Sequence, residues 1–167
     1  MMEELFVVPP GWLAAAQQVV AALQGRGQTL ALAESCTGGL LAAVLSAVPG
    51  ASAVFERGLC LYSNAAKSDL LGIDPALIAS QGAVSAAVAA AMAAAVRQQA
   101  GTTTGLAITG IAGPGGGRDA KPIGLVYMAL DDGGTSVRRY VFDGDRQQVR
   151  AQAVQAALDW LLTRSGS

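Results

Sequence analysis

Short apolar runs that end in polar or glycine-rich turns constrain the fold of this chain more than any other feature. The runs at 29–35, TLALAES, and 105–111, GLAITGI, have the length and continuous apolar character of buried strands. The run at 55–63, FERGLCLYS, predicts a third strand. Two later runs, IGLVYMAL and SVRRYVF, flank DDGGT, whose Asp-Gly-Gly predicts a hairpin. The chain therefore has enough strand segments for one central sheet.

Helical segments separate these strands. Their starts and stops follow from prolines, glycines and capping residues, and predict helices over 12–25, from about Thr37 to Pro49, over 63–72, 74–82 and 85–101, and from Arg146 to Leu162. Strands that alternate with helices and then pair as a hairpin predict an α/β fold, a three-layer α/β/α sandwich with a mixed sheet. No internal linker interrupts the pattern, so residues 1–167 are expected to form a single domain.

Composition narrows the class of protein. Of the 167 residues 52% are hydrophobic and 14% are charged, which suits a compact core. The net charge is -1 without any run of like charge, so a nucleic-acid groove is not expected. No apolar stretch reaches the length of a membrane span, and Glu3 and Glu4 stand where a secretory signal needs positive charge. We expect a cytoplasmic protein with no membrane partner, with Cys36 and Cys60 reduced.

The chain contains no histidine. This absence removes the Ser-His-Asp and Cys-His catalytic systems and every metal site that uses imidazole. The two cysteines have no metal-ligand spacing, so neither a metal nor a cofactor is expected. A general base in this chain must be a lysine, an acidic residue, a tyrosine or a terminus.

Ser35 stands where the first predicted strand passes into a helix. Its hydroxyl can reach the crevice at the carboxyl end of that strand, where the following backbone N–H groups can stabilise an oxyanion. The alternative is that Ser35 and Thr37 only cap the helix, as serine and threonine commonly do. Spacing alone leaves both interpretations open.

Tyr62 and Lys67 follow the strand at 55–63. If a helix begins near Ser63, these two side chains lie about one turn apart and can face the same side. A lysine in a crevice poor in water loses part of its preference for the charged form and can take a proton from a serine. The alternative is a surface lysine on a short helix.

A glycine-rich segment follows the strand at 105–111. It runs from Thr109 through Pro114 to Gly117, and backbone N–H groups exposed by glycine can hold a phosphate or carboxylate. The spacing matches neither the P-loop nor the dinucleotide-binding fingerprint. A plain flexible turn is the alternative.

These segments together resemble a known family. In order along the chain they are AESCTGG (33–39), PGASAVFERG (49–58), YSNAAK (62–67), GAVS (82–85), ITGIAGP (108–114), KPIG (121–124) and GDR with VR (144–150). The set resembles the competence-and-damage-inducible protein CinA, C-terminal domain family. Seven ordered matches over nearly the whole chain are far more specific than any one of them.

The resemblance implies a function. Stand-alone members of this family look like nicotinamide-nucleotide amidases, which convert nicotinamide mononucleotide into nicotinate mononucleotide and ammonia in pyridine nucleotide salvage. It implies Ser35 as nucleophile, Lys67 as its base and Tyr62 as a proton relay or orienting group. It also implies an anticodon-binding-domain-like fold and a homo-oligomer. The residues that would bind substrate or shape its pocket are Glu34, Thr37, Gly38, Gly39, Asn64, Thr109, Gly110 and Gly113, with Arg57 and Arg146 as phosphate partners.

Two departures from the family pattern bear on substrate fit. Ala65 stands where many relatives have an acidic residue, and Gly115 where an aspartate is common. Neither position carries an assigned proton transfer. Besides the amidase, a nucleotide-binding or partner-binding module without turnover remains a possible function. A phosphoryl-transfer enzyme lacks the lysine and metal-ligand motifs that its chemistry needs.

Overall fold

The computed structural model describes residues 7–165, which form a sheet flanked by helices. The strands are β1 Leu30–Glu34, β2 Phe55–Cys60, β3 Thr104–Gly110, β4 Leu125–Asp131 and β5 Thr135–Val141. The helices are α1 Pro10–Gly25, α2 Leu40–Ser46, α3 Asn64–Leu71, α4 Pro75–Gln81, α5 Ala86–Ala100 and α6 Arg146–Ser165, with one 3-10 turn at Ala51–Ala53. None of the helices in this part of the chain combines the length and the apolar character needed to cross a membrane.

The sheet has the strand order β2-β1-β3-β4-β5. Strands β2, β1 and β3 run parallel, whereas β4 and β5 form the antiparallel hairpin that DDGGT predicts. The predicted mixed sheet is thereby confirmed. Glu34, at the end of β1, pairs with Cys60 on one side and Ile108 on the other. The carboxyl ends of the three parallel strands therefore meet at one edge, where the polar turns follow.

Each face of the sheet has its own hydrophobic core. Leu30, Leu32, Leu106 and Ile108 point to one side and pack against α1, α2 and α6. The alternate positions of the same strands carry alanine, and they pack against α3, α4 and α5 on the other side; these positions are Ala31, Ala33 and Ala107, with Ala129 of β4. Three layers result, as the sequence predicts.

Helix α5 lies very close to β3. A Cβ atom built on Gly105 would be 2.3 Å from the carbonyl oxygen of Ala93 and 2.8 Å from Cβ of Arg97. No side chain fits at this position, because these distances are shorter than any real Cβ contact. Gly105 and the alanines on this face let the helix approach the strand.

The prediction that a helix begins near Thr37 is wrong by about one turn. Gly38 and Gly39 have φ values of 61° and 92°, which lie in the left-handed region, and α2 begins only at Leu40. Two consecutive left-handed residues cannot belong to a right-handed helix. Residues 35–39 therefore form a hydrogen-bonded turn between β1 and α2. By contrast, Asp74 and Ser85 cap α4 and α5 as predicted.

Candidate functional site

Ser35 is fixed at the edge of the sheet by its own backbone. Its N–H donates to the carbonyl oxygen of Ile108 at 2.9 Å, which extends the pairing of β1 and β3 by one residue. Its carbonyl oxygen accepts from the N–H of Gly38 at 3.0 Å. The residue is only 7% exposed. The hydroxyl thus stands at a rigid position at the end of two buried strands.

Lys67 reaches the Ser35 hydroxyl from the neighbouring element. Ser63 caps α3 by accepting from the N–H of Ala66, and Lys67 lies one turn into this helix. Its Nζ atom is 3.1 Å from Oγ of Ser35 and 3.0 Å from the carbonyl oxygen of Leu61, with a longer contact of 3.5 Å to that of Ser63. Lys67 is 1% exposed, so the surface-lysine alternative is excluded.

The environment of Lys67 weakens its preference for the charged form. Burial lowers the pKa of the amine, and the weaker fields of Cys36 and Cys60 act in the opposite direction. No carboxylate forms an ion pair with it among residues 7–165. Buried lysines that lack an anionic partner lose part of their affinity for the proton in this way.

The neutral amine has a defined hydrogen-bond arrangement. It has two N–H donors and one lone pair. The carbonyl oxygens of Leu61 and Ser63 can only accept, whereas the Ser35 hydroxyl can also donate. When both N–H groups of Lys67 face these carbonyl oxygens, its lone pair points at the Ser35 hydroxyl. This arrangement suits proton transfer from serine to lysine.

Cys36, beside Ser35, is poorly suited to act as a nucleophile. Burial raises the pKa of its thiol to about 12, against smaller lowering effects from its own backbone and from the guanidinium groups of Arg150 and Arg146. The thiolate, not the thiol, is the reactive form, so this side chain is inert near neutral pH. Ser35 is therefore the better candidate of the pair.

Tyr62 contacts an arginine rather than the Ser35–Lys67 pair. It is 59% exposed, and its hydroxyl accepts a hydrogen bond from Arg146. The second terminal nitrogen of Arg146 donates to the carbonyl oxygen of Gly113 at 2.9 Å. Within the described residues, no hydrogen bond joins Tyr62 to Ser35 or Lys67. This geometry favours an orienting role for Tyr62 over that of a proton relay.

Arg150 is a site residue that the sequence reasoning missed. It lies one turn after Arg146 on α6, and its guanidinium donates to the carbonyl oxygen of Thr37 at 3.2 Å. Both arginines thus touch loops beside Ser35. The signal was present in the sequence, because residues four apart on a helix share one face.

Arg57 is not brought to this edge of the sheet. It pairs in register with Ala31, near the start of β1, and forms an exposed ion pair with Glu56. Three residues of strand, about 10 Å, separate it from Cys60 at the carboxyl end. The structure therefore does not support its predicted contact with a phosphate at the site.

Glu34 supports the turn, and Thr37 is buried within it. The carboxylate of Glu34 accepts from the N–H groups of Leu41 and Ala42 at 3.1 and 2.8 Å. Thr37 is fully buried, and its side-chain oxygen has no hydrogen-bond partner in the described part of the chain. Glu34, predicted to bind substrate or shape its pocket, therefore belongs to the frame of the turn, whereas the predicted part of Thr37 in that pocket stays a prediction.

The glycine-rich segment closes the other side of the site. The hydroxyl of Thr109 donates to the carbonyl oxygen of Ala83 at 2.9 Å. A Cβ atom on Gly110 would be 2.7 Å from Val126 and 3.0 Å from the sulfur of Cys36, so only glycine fits there. Within residues 7–165, the N–H groups of 115–117 donate to no carbonyl oxygen. These donors remain free for an anion.

Asn64 lies on α3 one turn before Lys67. It is the first residue of α3 and lines a cavity of about 370 Å³ between α3 and α4. The remaining lining residues are Ala65, Ser68, Asp69, Pro75, Ile78 and Ala79. Asn64 is three residues before Lys67, so helical spacing places the two on neighbouring positions of α3. Among residues 7–165 no hydrogen bond joins Asn64 to Ser35 or Lys67, and its part in the substrate pocket stays a prediction.

A buried serine and lysine at the carboxyl edge of a mixed sheet define the chain as an α/β protein with a candidate Ser–Lys site. The profile of the CinA C-terminal domain matches residues 13–165. The chain belongs to this family.

Individual relatives and solved structures belong to the same family. A CinA-like protein of Geobacter sulfurreducens is 53% identical over 140 residues, which are 83% of this chain and 34% of the relative. A putative competence-damage inducible protein of Moorella thermoacetica is 53% identical over 146 residues, 87% of this chain and 35% of the relative. The chain thus spans about a third of the length of these relatives.

The fold is similar to crystal structures of the same superfamily. A CinA superfamily protein from Klebsiella pneumoniae superposes with a TM-score of 0.89 at 36% identity, covering 93% of this chain and 98% of that one. A CinA superfamily protein from Escherichia coli gives 0.88 at 30% identity, with 97% of both chains covered. The α/β architecture described above is therefore that of the family.

Proposed function

We propose that this chain is an amidohydrolase that deamidates nicotinamide mononucleotide to nicotinate mononucleotide and ammonia. The observation that carries the proposal is the 3.1 Å contact between Nζ of Lys67 and Oγ of Ser35, with both side chains buried. A serine activated by a neutral lysine is a nucleophile suited to acyl transfer. The choice of the nicotinamide nucleotide rests on the family resemblance.

The first half of the reaction forms an acyl-enzyme. Lys67 takes the proton of Ser35 while Oγ attacks the carboxamide carbon. The N–H groups of Cys36, Thr37 and Gly39 donate to no backbone carbonyl oxygen in the described chain, so this turn can supply donors to the oxyanion. The Lys67 ammonium then protonates the leaving nitrogen, which departs as ammonia.

The second half releases the acid. Water attacks the ester carbon of acyl-Ser35, and neutral Lys67 takes one of its protons. Collapse of the second tetrahedral intermediate frees the carboxylic acid and returns the proton to Oγ of Ser35. The overall reaction consumes one water for each amide and uses only groups that this chain supplies.

The cationic side of the site suits a phosphate. Arg146 and Arg150 stand on one face of α6 and are held against the loops around Ser35. The backbone N–H groups of residues 115–117, which follow Gly113 closely in the chain, add uncharged hydrogen-bond donors. Arginine and glycine-rich backbone are the usual partners of phosphate groups. We propose that these groups hold the phosphate of the mononucleotide.

Ammonia release tests the function directly. The purified chain should release ammonia from nicotinamide mononucleotide, and much less from nicotinamide or its riboside. We expect the activity to persist in EDTA, because a serine and a lysine provide the nucleophile and the base. A chain that binds the mononucleotide without releasing ammonia would be a binding module, and loss of turnover in EDTA restored by one divalent metal would reject the mechanism.

We also propose, from the family resemblance, that the chain works as a homo-oligomer in the cytoplasm. Sedimentation equilibrium of the purified chain tests the assembly. A monomer at micromolar concentration would contradict it.

A further inference from the structure

Glu34 joins the strand before the nucleophile to the helix after it. It is the last residue of β1 and is 1% exposed. One carboxylate oxygen accepts from the N–H of Ala42 at 2.8 Å and the other from that of Leu41 at 3.1 Å. These two bonds span the turn of residues 35–39.

Helix α2 needs this carboxylate because it has no cap of its own. The first N–H groups of a helix lack partners within it and are usually satisfied by the side chain at the N-cap position. Here that position is Gly39, which has no side chain and a φ of 92°. Leu41 is fully buried, so water cannot satisfy its N–H. Glu34 supplies the missing acceptors from outside the helix.

The same two bonds restrain Ser35. Glu34 precedes Ser35 directly, and both ends of the turn are tied to one carboxylate. The Ser35 backbone is further held by Ile108 and Gly38. A shift of the turn would move Oγ relative to Nζ of Lys67, which belongs to a different element. The 3.1 Å contact between Nζ of Lys67 and Oγ of Ser35 therefore depends on the hydrogen bonds that Glu34 makes across the turn.

We propose that Glu34 is a positioning residue for the nucleophile, acting through the turn and not through the substrate. The proposal rests on the proposed function, since it assigns Ser35 as the nucleophile. It replaces the predicted role of Glu34 in substrate binding. Both carboxylate oxygens of Glu34 are directed to backbone N–H groups, and the residue is 1% exposed.

The first test separates positioning from binding. In Glu34→Gln the amide keeps one acceptor oxygen but places an NH2 donor against a second N–H donor. We expect kcat to fall about tenfold to a hundredfold, the cost of a small misplacement of reacting groups, with KM for nicotinamide mononucleotide within about twofold of wild type. A raised KM with unchanged kcat would overturn the proposal in favour of a substrate contact.

A matched control removes a helix cap elsewhere. Asp74 caps α4 by accepting from the N–H of Ala76 at 2.9 Å. Asp74→Ala should lower the melting temperature, as loss of a cap does, with little change in kcat. An equal fall of kcat in both variants, measured well below their melting temperatures, would reduce Glu34 to a general stability element and overturn the proposal. Glu34→Asp, which keeps the charge but shortens the reach, should show a smaller loss of kcat and covers the case in which Glu34→Gln does not fold.

A second readout does not use the proposed substrate. Phenylmethanesulfonyl fluoride sulfonylates activated serines, and intact mass reports the rate. Glu34→Gln should label at Ser35 about tenfold or more slowly than wild type. Equal labelling rates would overturn the positioning role while leaving the amidase proposal intact. A wild-type chain that neither labels nor releases ammonia would overturn both, because it would hold no active nucleophile to position.

Discussion

Nζ of Lys67 lies 3.1 Å from Oγ of Ser35, although the two residues are 32 positions apart in the chain. The contact forms inside the protein, where neither residue is more than 7% exposed. It joins the turn after β1 to the helix after β2. The parallel pairing of these two strands brings the two side chains to the same edge.

Removal of either member of this pair should abolish turnover. Ser35→Ala and Lys67→Met should each lower kcat by about four orders of magnitude or more, because one lacks the nucleophile and the other its base. The double variant should cost little more than either single one, since groups that act as a unit are not additive. Steady-state ammonia release measures all three. Cys36→Ala is the control and should retain activity. An active Ser35→Ala protein beside a dead Cys36→Ala protein would identify the thiol as the nucleophile.

The rate should depend on the protonation of Lys67. Burial lowers the pKa of this amine from its ordinary value of 10.5, and only the neutral amine can take the proton of Ser35. The rate should therefore fall as the pH drops through the folded-state pKa of Lys67. A profile of kcat/KM against pH should show this acid limb below 10.5. A rate that rises steadily towards acid pH would contradict lysine as the base.

The same shift should appear in stability. Between the folded-state pKa and 10.5 the unfolded chain binds a proton at Lys67 that the folded chain does not, so the wild type gains stability as pH rises through this window. Lys67→Met lacks this contribution. The free energy of unfolding of Lys67→Met minus that of wild type should thus fall as pH increases, and flatten above 10.5. Urea titrations at several pH values measure it. A constant difference would mean that the pKa of Lys67 is the same in both states.

The two arginines of α6 should determine the preference for the phosphate. Arg146→Gln and Arg150→Gln should each raise KM for nicotinamide mononucleotide about tenfold to a hundredfold, the range expected for a charge-assisted hydrogen bond. Activity on nicotinamide riboside should change much less. Arg57→Gln, on the edge strand and paired with Glu56, serves as the matched control and should behave as wild type. A KM effect at Arg57 alone would move the phosphate site to β2.

The two cysteines should differ in reactivity. Cys36 is buried and its pKa is raised to about 12, whereas Cys60 is exposed at the end of β2. Iodoacetamide near neutral pH should alkylate Cys60 in the folded chain and leave Cys36 unmodified, because alkylation needs an accessible thiolate. Peptide mass analysis identifies the site. Rapid labelling of Cys36 would indicate that the turn of residues 35–39 opens readily.

Local patterns sufficed to predict most of the elements. The caps at Asp74 and Ser85 and the hairpin at DDGGT depend on neighbouring residues only, and all three are confirmed. The start of α2 was missed because glycine adopts left-handed and right-handed backbone conformations about equally well. The sequence alone does not indicate that Gly38 and Gly39 are left-handed. The hydrogen bonds from Leu41 and Ala42 to Glu34 fix the conformation of the turn, and these bonds exist only after β1 and α2 come together.

The candidate site was predictable in its chemistry but not in its contacts. The absence of histidine, together with the family resemblance, pointed to Ser35 and Lys67. The pairing of Tyr62 with Arg146 joins residues 84 positions apart, and that of Arg150 with Thr37 joins residues 113 apart. Contacts of this kind depend on the packing of α6 against the sheet, about which local spacing carries no information.

The side chains on the two faces of the sheet differ in size. They therefore determine how far the helices lie from the sheet, besides forming the two cores. Leucine and isoleucine keep α1, α2 and α6 farther from the sheet, whereas alanine and Gly105 let α5 pack very close to β3. Helix α3, which carries Lys67, belongs to this thin layer. The alanines at 31, 33 and 107 therefore keep the separation between α5 and the sheet small. A larger residue among them would push α5 outward, and α3 with it, because the helix that carries Lys67 packs beside α5.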